Sequence, residues 1–78
     1  MGTKKELLSR FVWTYHEIMD YFPHVKSKTT AIRIKKRAIQ EYNGSVPYGT
    51  EYVKTDSVLA LFGTSREQEL KIINEVNL

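Results

Sequence analysis

At 78 residues, with 41% hydrophobic and 27% charged side chains, the chain fits one small domain near the lower size limit for a self-sufficient hydrophobic core, and it is too apolar for a disordered segment. The formal net charge of +3 is not spread evenly: residues 24–40 carry Lys26, Lys28, Arg33, Lys35, Lys36 and Arg37 with no acid, while residues 1–23 are balanced and residues 41–78 are net acidic. The lack of cysteine excludes a disulfide framework and thiolate chemistry. With no run of eighteen apolar residues and no signal-peptide core, a soluble, cytoplasmic chain without a membrane partner is expected.

Three sites place a small hydroxyl residue three positions before Glu or Gln, the spacing at which two side chains satisfy free amides of a first helical turn. Thr3 with Glu6 predicts a short helix with Leu7, Leu8 and Phe11 inward. Thr14 with Glu17 predicts a second, burying Ile18, Tyr21 and Phe22 and stopping before Pro23. Trp13, just before that cap, is expected in the core. After a tight connection at residues 23–26, Ser27 is expected to cap a basic helix that runs to about Tyr42 and ends at Asn43-Gly44.

At 100 degrees per residue, Ala31, Ile34, Ala38 and Tyr42 of this basic helix fall within about 80 degrees, with Ile39 widening the stripe. Thr29, Arg33, Lys36, Arg37 and Gln40 lie opposite, and Lys28 and Lys35 sit at the apolar edge, where long stems cover core. Residues 45–48 and 51–54 then predict a small two-stranded hairpin around Gly49-Thr50, with Pro47 confining the first segment to an edge or a bend. Thr55 or Asp56 is expected to cap a brief helix ended by Gly63. Ser65 with Gln68 opens a last helix over 65–77, whose Leu70, Ile73 and Val76 either pack on the core or mediate association.

The expected fold is mostly α with a small β-hairpin, a single winged helix-turn-helix domain over residues 1–78. In such an arrangement the second helix enters the major groove and the wing touches neighbouring backbone. Arg33 and Arg37, one turn apart, can present paired donors to guanine O6 and N7, and Thr29 lies at the helix start where base contacts are common, so these three are the expected base contacts. Gln40 has the chemistry to read adenine but sits far along the helix for a base edge. Lys26, Lys28 and Lys36, with Tyr48, Thr50 and Lys54 from the wing, are the expected phosphate contacts. The competing reading is a solvated basic face.

Three segments carry a family resemblance: Trp13 to Phe22 (WTYHEIMDYF), Ser27 to Ala31 (SKTTA) and Tyr52 to Val58 (YVKTDSV). Together they resemble the first helix, the start of the recognition helix and the exit from the wing in small winged-helix proteins of phages and mobile elements related to excisionases and MerR-type DNA-binding domains. The resemblance implies sequence-specific binding of double-stranded DNA, sometimes by several copies side by side, in transcription regulation or DNA recombination. The alternative is a small protein-binding inhibitor or adaptor that uses the basic helix or the C-terminal helix. His16, Glu17 and His24 form no metal-ligand array, and neither a phosphate-cradling glycine loop nor a serine with a base partner is present. No enzyme activity, cofactor or metal is expected.

Overall fold

A computed structural model describes residues 3–47 and 49–76, and within them side-chain caps start most of the helices. Thr3 Oγ1 accepts the Glu6 amide at 3.2 Å and opens α1, Lys4–Ser9, which buries Leu7 and Leu8. Phe11 departs from its expected inward position and is 59% exposed. The helix ends before it, and Arg10 turns to extended backbone at φ −78° and ψ 141°, which takes Phe11 off the helical repeat. A short strand, β1 (Val12–Trp13), follows.

The capping box at Thr14 is complete. Glu17 Oε1 accepts both the Thr14 amide and the Thr14 hydroxyl at 2.7 Å, and Thr14 Oγ1 in turn accepts a first-turn amide. The helix it starts, α2 (Tyr15–Tyr21), buries Ile18 and Tyr21 and stops before Pro23. Ser27 then caps α3 (Lys28–Tyr42): its hydroxyl accepts the Thr30 amide at 3.1 Å and donates to Thr30 Oγ1 at 2.8 Å. Asn43 adopts the left-handed conformation at φ 54°, which Asn tolerates, and the amides of Asn43 and Gly44 both donate to the Ala38 carbonyl. Gly44 is required by proximity, since a Cβ there would stand 2.9 Å from Val53 Cγ2 and 3.0 Å from Ser57 Cβ.

An antiparallel pair is present, with one partner different from the expected one. Strand β2 (Val53–Lys54) pairs with β1, Val12 opposite Lys54 and Trp13 opposite Val53. Residues 45–47 form no strand, and Tyr48 lies outside the described residues. Pro47 has no amide to donate to a ladder, whereas Val12–Trp13 is extended between two helices and offers both edges. The Lys54 amide donates to the Gly44 carbonyl at 2.9 Å, which closes at its base the loop between Gly44 and β2.

Neither Thr55 nor Asp56 caps α4 (Thr55–Leu61), which starts from Lys54 without a side-chain cap. Thr55 is fully buried and its hydroxyl donates to the Arg10 carbonyl at 2.9 Å, while Asp56 stands 3.6 Å from Arg66. Gly63, at φ 76°, ends the helix with the amides of Gly63 and Thr64 turned back on the Ala60 and Leu59 carbonyls. Ser65 Oγ accepts the Gln68 amide at 3.2 Å and opens α5 (Arg66–Val76).

Trp13 sits in the core as expected, fully buried, with Nε1 donating to the Leu7 carbonyl at 2.8 Å and its ring 5.2 Å from that of Tyr21. The packing stripe of α3 is largely as read: Ala31 and Ala38 are fully buried, and Ile34 and Ile39 pack against the core. Tyr42 is the exception at 44% exposure. Small side chains at Ala31 and Ala38 let α3 lie close to its neighbours α2 and α4. Leu70 and Ile73 dock α5 on the core, and the Val76 side chain lies outside the described part. Polar contacts complete the docking. Glu69 accepts hydroxyls from Tyr21 at 2.7 Å and Thr64 at 3.0 Å, and Arg66 Nη2 donates to the Arg10 carbonyl at 3.0 Å.

Candidate nucleic-acid interface

The basic side chains reach the surface because the apolar stripe of α3 is committed to the core. Thr29, Arg33, Lys36, Arg37 and Gln40 are all exposed on the side away from Ala31 and Ala38. Thr29, Arg33 and Arg37 follow at four-residue steps, so they rise about 6 Å each and span about 12 Å, comparable to the width of a B-DNA major groove. Ser27, by contrast, is committed to the cap through both its donor and its acceptor.

The two arginines differ. Arg37 Nε donates to Glu41 Oε2 at 2.9 Å, an exposed pair one helical turn apart, and that partner raises the guanidinium pKa above its ordinary value. Arg33 makes no hydrogen bond or ion pair among the described residues. Glu41 is the residue that the sequence reading passed over. Its i,i+4 spacing from Arg37 is the signal that identifies it.

Lys28 does not project from α3 as a free cation. Its Nζ lies 5.0 Å from the centre of the Tyr15 ring, and His16 stacks on the other partner of that contact with ring centres 4.1 Å apart. Lys28, Tyr15 and His16 therefore gather the starts of α2 and α3 into one cluster, in which the Tyr15 face holds a cation that stays exposed. The side-chain spacing of His16 to Asp20 on α2 brings no ion pair among the described residues. Lys26 is exposed in the connection between α2 and α3.

The loop carries the remaining expected contacts. Thr50 is exposed at its turn, Lys54 is half-buried at its base and Tyr48 lies outside the described residues. Tyr52 is half-buried. The described structure thus brings Thr29, Arg33, Lys36 and Arg37 onto one face of one helix. Lys26 and Lys28 lie just before that face or at its start, and Lys54 belongs to the sheet.

His24 meets Phe22 and Phe62 edge-on, at 5.8 and 6.0 Å between ring centres. Among the described residues no group of three or more His, Asp or Glu stands together in a metal-holding arrangement, and no helix is long and apolar enough to cross a membrane. No family model, curated protein or solved structure matches this chain.

Proposed function

We propose that this protein binds double-stranded DNA at specific sequences as a winged helix-turn-helix, with α3 as the recognition helix and the loop closed by Gly44 and Lys54 as its wing. One observation carries the reading: Thr29, Arg33, Lys36 and Arg37 are exposed on a single face of a helix whose opposite face is buried. A rigid basic face of this width suits a groove walled by phosphates, and its arginines offer the planar paired donors that guanine edges accept. Base contacts are assigned to Thr29, Arg33 and Arg37. Phosphate contacts are assigned to Lys26, Lys28 and Lys36, with Thr50, Lys54 and Tyr48 from the wing. The family resemblance extends this to a regulator or an excisionase-like architectural factor of a phage or mobile element, with several copies able to bind side by side.

Selection from a random duplex pool, followed by titration of the selected and mixed sequences at several salt concentrations, tests the proposal. A recovered consensus whose affinity exceeds that of mixed sequence supports it. A folded sample that binds no duplex at low salt overturns it.

A second reading, a protein-binding adaptor, is favoured by the surface at Phe62. This side chain is 40% exposed, stacks on Phe22 at 4.3 Å between ring centres and meets His24 edge-on at 6.0 Å, so three aromatic rings gather at one place on the surface. Under that reading, replacing Phe62 abolishes association with the partner protein and leaves duplex binding unchanged.

A further inference from the structure

We infer that Glu41 is a positioning residue that fixes the Arg37 guanidinium for two-point recognition of a single guanine edge, an inference that rests on the DNA-binding reading above. The contact between them runs through Nε at 2.9 Å, and neither Nη amino group of Arg37 donates a hydrogen bond among the described residues. A guanidinium is planar, and a carboxylate on Nε fixes that plane while the far edge keeps its two amino groups free. That far edge is the one that pairs with guanine O6 and N7. Arg37 is 63% exposed, so the open edge faces solvent on the same side of α3 as Arg33 and Lys36.

Two features argue that the pair serves more than helix stability. Arginine precedes glutamate along the helix, the weaker of the two orders for stabilising an i,i+4 pair. A carboxylate at the border of a face that meets phosphates also opposes binding by charge, so its presence there needs a compensating gain. Holding Arg37 before the encounter provides one, because an arginine ordered in advance loses less side-chain freedom on contact. Arg33, one turn earlier and without a partner among the described residues, is the internal comparison: it must order itself on binding.

The test is base preference, measured by duplex selection and titration with wild type, Arg37→Ala, Glu41→Ala and Glu41→Gln, each checked for helicity. Arg37→Ala identifies the position at which guanine preference is lost. At that position Glu41→Ala is expected to reduce guanine preference by about 2- to 12-fold, the cost of ordering one long side chain, while affinity for mixed-sequence duplex is unchanged or higher. Glu41→Gln retains an oxygen that accepts from Nε and is expected to restore most of the preference. The inference is overturned if Arg37→Ala reveals no guanine position, if Glu41→Ala leaves the preference intact or weakens all duplexes alike, or if Glu41→Gln restores nothing. Failure of the wild type to bind any duplex is a different result, which removes the DNA reading itself.

Discussion

Single positions in this small core have little room for change, and Gly44 shows why. The backbone at the end of α3 passes so near Val53 and Ser57 that a methyl group fits only if the Val53 γ-methyl, the Ser57 β-carbon and the Ala38 carbonyl give way. Gly44→Ala is expected to destabilise the fold by about 1–3 kcal/mol, the usual cost of overpacking, read from the urea midpoint at unchanged slope. Tyr21 carries a different kind of constraint. Burial, first, and then its hydrogen bond to Glu69 and the charge of that carboxylate hold the phenol well above its ordinary pKa of 10.0. The folded state therefore keeps this proton more firmly than the unfolded state. The stability it contributes is complete below pH 10 and declines as pH rises above it. Tyr21→Phe is expected to lower stability by about 1 kcal/mol at neutral pH, and to flatten the alkaline fall of the melting temperature relative to wild type. An equally steep alkaline fall in the variant would place the titration elsewhere.

At the scale of elements, local chemistry and tertiary packing divide the work visibly. The caps at Thr3, Thr14, Ser27 and Ser65 are legible in the sequence because each is a bond between a side chain and an amide two or three residues away. Ser27→Ala is expected to cost about 1 kcal/mol and to lower the melting temperature by roughly 4–8 °C in a thermal scan, since the first turn of α3 loses its only side-chain acceptor for the Thr30 amide. A shift smaller than 1 °C would mean that water replaces the hydroxyl at no cost. The strand pairing was not legible in the same way. Residues 45–48 and 51–54 carry a hairpin pattern, yet Val53–Lys54 pairs with Val12–Trp13, about forty residues earlier in the chain. Strand pairs are chosen by which edges meet, and two-residue strands contain too little pattern to specify a distant partner. Thr55 misled for a related reason: it has the chemistry of a cap, but the Arg10 carbonyl stands within its reach and α4 starts without one.

Over the whole molecule, charge and apolar surface are sorted onto different regions. The exposed face of α3 is basic, while α5 docks through Leu70, Ile73 and the acceptor Glu69 and leaves Ile72 47% exposed. If α3 meets phosphates, duplex affinity falls steeply with salt, and Lys36→Gln is expected to reduce the slope of log K against log salt by about 1 with similar losses on all sequences. A change in base preference would instead assign Lys36 to a base edge. A Gln40 contact is disfavoured by distance, because eleven residues of helix carry it about 16 Å beyond Thr29.

Periodicity and composition alone determined the helical segments, most of the caps, the burial of Trp13 and the two-faced character of residues 28–42. These depend on spacing along the chain, which a linear sequence records. Tertiary structure alone decided which strand pairs with Val53–Lys54, that Phe11 and Tyr42 stay at the surface, that Thr55 turns inward and that Lys28 rests over Tyr15. Those outcomes depend on which distant groups arrive at the same place, and close packing around Trp13, Ala31 and Ala38 leaves few ways for them to do so.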